Sequence, residues 1–151
     1  MKKQAILVSA CLLGVCCRYD GASKPNTDVT ALREHFTLIP ICPEVDGGLP
    51  TPRTPSERIG DKVMMRDGRD VTENYVNGAK AALERARLFS CPAAILKARS
   101  PSCGSGKIYD GSFSGNLTDR DGVTAELLKK EGIDVYTEEE ITIFLKKYLT
   151  N

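Results

Sequence analysis

The stretch Ala5-Ile6-Leu7-Val8-Ser9-Ala10-Cys11 decides the fold. Its aliphatic run is too short for a helix and does not alternate with polar residues, the pattern of a strand covered on both faces in a parallel sheet. The run stops at Ser9-Ala10 and delivers Cys11. Two later segments repeat the arrangement. Thr37-Leu38-Ile39-Pro40-Ile41 runs into Cys42-Pro43-Glu44, and Ala93-Ala94-Ile95-Leu96 empties into Lys97-Ala98-Arg99-Ser100-Pro101-Ser102-Cys103-Gly104. Pro40 counts against the second strand, because proline cannot donate to a ladder.

Helical patterns separate these runs. Asn26 or Thr27 caps a predicted helix to Phe36 that buries Val29, Leu32 and Phe36, and Thr72 to Phe89 places Val76, Ala79, Leu83 and Ala86 on one face. Gly122 to Glu131 is a helix ended by Gly132, Ile133 to Tyr136 a fourth strand, and Glu138 to Leu149 an amphipathic last helix. Val45 to Ile59 is dense in Gly and Pro and reads as a long functional loop. Lys62 to Asp70, with Asp67-Gly68 in its middle, reads as a small hairpin or an irregular excursion, and Ser105 to Arg120 as a second loop region. The alternation predicts an α/β chain: a single three-layer Rossmann-like domain over residues 1–151, with right-handed crossovers and a mostly parallel sheet of four or five strands.

Bulk properties agree with one domain. A chain of 151 residues buries roughly 70% of its unfolded surface without disulfides. With 41% hydrophobic residues, 27% charged residues and a net charge of +1, neither a polyanion nor an acidic partner is implied, and a large nucleic-acid footprint is disfavoured. No apolar run approaches the ~20 residues that span a bilayer. Met1-Lys2-Lys3 before the first strand mimics a signal peptide, yet the apolar run is short and lacks a small-residue cleavage site. Without a secretory signal, the six cysteines predict free thiols in a cytoplasmic protein, and so metal binding or catalysis.

The chain has one histidine, His35, read as a surface or capping residue, and no Cys-x-x-Cys pair, so any metal site must be assembled from distant cysteines. Cys11, Cys42 and Cys103 each follow a separate strand, at the carboxyl edge where open α/β sheets bind ligands. A single cysteine is more often a small buried hydrophobe. Three in equivalent positions point to a shared site. Zinc usually takes four protein ligands or includes histidine or carboxylate, whereas all-sulfur coordination suits a cubane iron–sulfur cluster with one iron uncapped by protein. Cys16 or Cys17 is the rival fourth ligand, since Cys11 and Cys16 have a C-x4-C spacing; a closed site of that kind would favour electron transfer. Cys91, before Pro92, falls at the opposite sheet edge and reads as structural. Gly104-Ser105-Gly106-Lys107 lacks the earlier glycine of a phosphate loop, and Ile108 stands where Ser or Thr would bind magnesium. Asp110, Asp119 and Asp121 do not match a calcium loop.

Ser9-Ala10-Cys11-Leu12-Leu13-Gly14 through Arg18-Tyr19-Asp20-Gly21, Cys42-Pro43-Glu44-Val45 with Gly47-Gly48-Leu49 and Pro52-Arg53, and Lys97 with Ser100-Pro101-Ser102-Cys103-Gly104 together resemble the thiouracil desulfidase (TudS-like) family, long catalogued only as a domain of unknown function. The resemblance implies a [4Fe-4S] cluster on Cys11, Cys42 and Cys103 whose fourth iron takes sulfur from 2- or 4-thiouracil or a thiouridine nucleotide. Water supplies the replacing oxygen, giving uracil and hydrosulfide with no net redox change. It also implies an assisting carboxylate, Glu44, and a serine, Ser100 or Ser102. A nearby cluster's negative charge would raise the carboxylate's pKa toward the working pH, fitting Glu44 to deprotonate water. Gly47, Gly48 and Gly104 are candidates for backbone approach to substrate, Arg53 for binding a carbonyl or phosphate, and Lys97, Arg99 and Arg18 for neutralising an anion. Two other readings compete: a non-catalytic metal- or nucleotide-binding module, and a thiol redox protein.

Overall fold

A computed structural model of the chain describes residues 3–149. The aliphatic run forms β1 (Gln4–Ser9), in which Ile6 and Val8 face one core layer and Leu7 the other, all three fully buried. After a 3-10 turn at Ala10–Leu13 comes α1 (Thr27–Ala31), capped by Asn26, whose side chain accepts from the Val29 N–H. The predicted Asn26–Phe36 helix is shorter than its pattern. It finishes in a 3-10 turn at Leu32–Glu34 with exposed His35 at the C-cap, and Phe36 opens β2 (Phe36–Ile41). Then follow α2 (Pro43–Asp46), β3 (Ser56–Ile59), β4 (Lys62–Met65), α3 (Thr72–Leu88), β5 (Ala93–Leu96), β6 (Ile108–Tyr109), β7 (Leu117–Thr118), α4 (Val123–Lys130), β8 (Asp134–Thr137) and α5 (Ile141–Tyr148).

The main sheet is fully parallel in the order β2-β1-β5-β8. One core layer packs Leu7, Leu96, Ala82, Leu83 and Leu128 between the sheet and α3 with α4; the other packs Ile6, Val8, Ile95, Val29 and Phe144 between the sheet and α1 with α5. The predicted three-layer α/β fold is therefore present. The chain leaves β1 for β2 on one side and returns through β5 on the other, so a crevice opens at their carboxyl ends. Truncating Leu7 or Ile95 to Ala in such a core costs about 2–5 kcal/mol. Among the described residues no helix is long and apolar enough to cross a membrane.

Pro40 is accommodated because β2 is an edge strand, and its carbonyl accepts instead from Arg85 Nη1 of α3 at 2.9 Å. The loop expected over Val45–Ile59 is interrupted at both ends, by α2 and by β3. β3 escaped the hydrophobic pattern because its buried positions are Glu57 and Arg58, each held by hydrogen bonds. It pairs antiparallel with β4 about Gly60-Asp61, and the turn expected at Asp67-Gly68 follows, closed by the Gly68 N–H on the Met65 carbonyl (2.9 Å) and the Met65 N–H on the Arg69 carbonyl (2.8 Å), with a bridge from Met64 to Asp70. The loop region Ser105–Arg120 contains the β6–β7 ribbon. Helix α3 buries Tyr75 and Ala82 beside Ala79, Leu83 and Ala86, while Val76, expected on that face, is exposed.

Two glycines let α2 lie directly on α3. A Cβ on Gly78 would stand 1.9 Å from the Pro43 carbonyl oxygen, and one on Gly47 would stand 2.0 Å from that of Asn74. This contact fixes the segment carrying Cys42 and Glu44.

Candidate active site

A cavity of about 390 Å³ opens at the carboxyl ends of β1, β2 and β5, and Cys11, Cys42 and Cys103 all line it. Cys11 sits in the 3-10 turn after β1, Cys42 is the residue between β2 and α2, and Cys103 lies in the turn after β5. Cys103 belongs to the core layer of α3 and α4, whereas Cys11 belongs to that of α1 and α5. The two layers meet at the end of the sheet. Cys17, also buried, joins the same wall, while its neighbour Cys16 is exposed. Of the two rival cysteines, the one at the C-x4-C spacing from Cys11 is therefore the exposed one. Cys91 stands away from the cavity among α3 and α4, and burial pushes its thiol up to about 11.

The thiols are coupled. A hydrogen bond with Cys11 is the main cause that lifts Cys17 to about 11, and a hydrogen bond with Cys17 is the first cause raising Cys42. The Cys42 thiol also donates to the Cys17 carbonyl at 3.7 Å. Burial lifts Cys103 to about 12, opposed by hydrogen bonds from Ser9 and Ser102. A cationic centre binding here would take the sulfurs as thiolates and release protons. Among the described residues no three His, Cys, Asp or Glu side chains converge on a single-ion position. Three thiols lining one cavity fit the all-sulfur coordination of a cubane cluster.

Glu44 enters the wall from α2. Arg53 Nε donates to its Oε1 at 3.0 Å, with the two side chains only 3% and 17% exposed respectively. The same guanidinium donates to the carbonyls of Cys17 (2.8 Å) and Pro50 (3.1 Å) and to Thr51 Oγ1 (3.0 Å). Arg53 therefore ties the carboxylate to the cysteine loop. Tyr75 of α3 lies against Glu44 and Ser56, and burial first, then the Glu44 charge, pushes its phenol well up. That charge also reaches Cys42 and Cys103. Carboxylate and thiols share one electrostatic neighbourhood.

A family model described as 2-thiouracil desulfurase matches residues 6–140. The chain belongs to the 2-thiouracil desulfurase family. It is 43% identical over 150 residues to the protein described as "Uncharacterized protein YbbK" of Bacillus subtilis (strain 168), covering 93% of this chain and 99% of that one. A solved structure described as "[4Fe-4S]-dependent thiouracil desulfidase TudS" superposes with a TM-score of 0.91 at 44% identity, covering 98% of this chain and 100% of that chain. The enzyme class and the fold expected from the sequence motifs are both supported across nearly the whole length.

In this desulfurase family member the remaining candidates separate by position. Ser100 lines the cavity, and its Oγ accepts from the N–H groups of Ser102 (3.1 Å) and Cys103 (3.0 Å), fixing the turn that carries the cysteine. Ser102 is fully buried outside the wall, 2.8 Å from Thr124 Oγ1. Lys97 lines the cavity while paired with Glu138 at 3.1 Å; Arg99 lines it while paired with Glu139 at 2.9 Å; Arg18 lines it with its guanidinium 5.8 Å from the Tyr19 ring centroid. Gly47, Gly48 and Gly104 lie off the wall. Gly47 packs under Asn74, Gly48 turns the chain at φ +97°, and Gly104 packs against Ser100 and Ile108. Sequence reasoning passed over Ser9, whose buried Oγ accepts from the Lys97 N–H at 2.9 Å, and Tyr75, Glu57, Arg66 and Phe113. Tyr75 was detectable as a helical neighbour of Ala79; the others lie in segments without periodicity.

Proposed function

We propose that this chain is a [4Fe-4S]-dependent desulfidase that converts a thiolated pyrimidine, either 2- or 4-thiouracil or a thiouridine nucleotide, and water into the oxygen-containing base and hydrosulfide. The observation that carries this reading is the arrival of Cys11, Cys42 and Cys103 from three separate strand ends on one cavity that also holds Glu44. These three sulfurs would hold the cluster. When bound, it would supply an iron not capped by protein, a Lewis acid toward the substrate's sulfur.

The chain's own residues do the rest. Arg53 holds Glu44 through Oε1, and the carboxylate takes a proton from water as the water oxygen bonds to the carbon bearing sulfur. The carbon–sulfur bond breaks with its electron pair leaving on sulfur, so no external electron donor is required. Ser100, with its oxygen fixed by two backbone N–H groups, donates a hydrogen bond to a ring nitrogen and keeps its proton, while the second proton of the water passes to the departing sulfur to give hydrosulfide. Lys97, paired with Glu138, carries its charge at the same wall.

Anaerobic reconstitution with iron and sulfide, followed by iron and sulfide analysis and incubation with 2- and 4-thiouracil, tests the reading. We expect cluster absorbance and sulfide release. Cys103→Ser loses the cluster, whereas Glu44→Gln keeps it and loses turnover by about 10²–10⁴-fold. A colourless protein that takes zinc instead would overturn the proposal.

A further inference from the structure

The cavity wall includes one aromatic side chain held in place by an unusual amount of surrounding structure. Phe113, in the loop joining β6 to β7, has φ +56°, a left-handed conformation that bulky residues avoid. The half-buried Phe113 belongs to none of the three apolar clusters that form the core. Three contacts from the β3–β4 region nevertheless fix it. Glu57, only 8% exposed, accepts through Oε1 from the N–H groups of both Gly111 (2.9 Å) and Phe113 (3.1 Å). Gly111 seats the loop on β3, where a Cβ would stand 2.2 Å from Ile59 Cγ1. The Arg66 guanidinium lies 5.5 Å from the Phe113 ring centroid, in cation–π range.

A buried carboxylate and a disfavoured backbone conformation persist only where the surroundings impose them, and here both present an aromatic ring to the cavity rather than to the core. The other aromatic candidates are differently engaged. Tyr75 is buried against Glu44, Tyr19 is exposed, and Tyr109 is a ladder residue of β6. We infer that Phe113 is the platform on which the flat ring of the substrate stacks, and that Glu57 is the positioning residue that holds it there. The identity of that ring rests on the desulfidase reading above. The platform recognises a planar heteroaromatic face, leaving the ring's edge to the hydrogen-bonding groups of the wall.

The test compares wild type with Phe113→Gly, Phe113→Tyr, Glu57→Ala and Glu57→Gln in reconstituted protein. Four readouts are taken: the Kd of uracil by equilibrium dialysis, kcat and KM with 4-thiouracil, KM with the ring-free thioamide thioacetamide, and Tm. Glycine accepts a positive φ without strain. Phe113→Gly should therefore keep or raise Tm while weakening uracil binding and raising the 4-thiouracil KM about tenfold, the scale of base–aromatic stacking. Its thioacetamide KM should not move. Phe113→Tyr should keep the stacking, Glu57→Ala should behave as Phe113→Gly does in KM, and Glu57→Gln, which keeps an acceptor oxygen, should restore binding. If wild type releases sulfide and Phe113→Gly shows unchanged Kd and KM, the platform is overturned and the desulfidase reading stands. If wild type binds uracil about tenfold more tightly than Phe113→Gly but releases no sulfide, the desulfidase reading fails and the platform stands. A wild type that does not bind uracil overturns the platform.

Discussion

Adjacent residues in this site have opposite fates, and Cys16 and Cys17 make the point most clearly. One is exposed; the other is buried in the cavity wall with Cys11 and Cys42, and its carbonyl accepts from the Cys42 thiol at 3.7 Å. Spacing counts positions along the chain, but the turn after β1 decides which side chain faces inward. Replacing Cys16 by Ser should leave cluster loading unchanged. Cys17→Ser should alter the spectrum or stability of the loaded protein, because it changes the hydrogen bonding around two of the three sulfurs we assign as ligands. Iron content and reduction potential of the two variants check this, and equal behaviour would show that Cys17 has no bearing on the centre. Glu44 came from the family resemblance and lies on the cavity wall, whereas its fastening by Arg53 joins positions 44 and 53 across a proline-rich loop that no pattern resolves.

At the scale of elements, α2 is a single turn whose position depends on α3. Pro43 begins it, and Gly78 gives the Pro43 carbonyl room to rest against the helix backbone. Gly78→Ala lies mid-helix, where alanine is ordinarily favoured by roughly 1 kcal/mol. Here the added methyl meets backbone 1.9 Å away, so α2 must shift and carry Cys42 and Glu44 with it. Thermal unfolding should show a loss of stability instead of the usual gain, together with reduced iron loading; an unchanged Tm would show that α2 yields without consequence. Element existence was legible wherever apolar residues formed an unbroken run, as in β1 and β5, or kept a helical period, as in α3. β3 was not, because Glu57 and Arg58 occupy its buried positions and take their stability from hydrogen bonds. Phe113 was invisible for a different reason: a backbone angle leaves no trace in composition.

Across the whole molecule, the last helix is joined to the sheet by aromatic packing and by an ionic contact from Lys147. Phe144 sits with Phe36, Tyr136 and Tyr148 at ring separations of 5.2, 5.5 and 5.1 Å. Lys147 reaches Asp134 of β8 at 2.6 Å, and with Tyr148 it holds the Asp134 carboxyl below the usual carboxylate range. A carboxylate held low in the fold contributes stability at pH values above its unfolded value, near 4, and loses that contribution as pH falls through its folded value. The Tm gap between wild type and Asp134→Asn should therefore be open at neutral pH and narrow as pH drops below about 4; a gap independent of pH would assign the contact no ionic role. The three strand-end cysteines have a consequence for the order of biosynthesis. Cys11 and Cys42 follow neighbouring strands formed early in the chain, but Cys103 follows β5, which docks on the far side of β1. A nascent polypeptide still short of that strand offers two of the three sulfurs we propose as ligands and no completed pocket. With the ligands we propose, a cofactor held by all three sulfurs could be seated only after β5 has been made and has docked, on a nearly finished polypeptide.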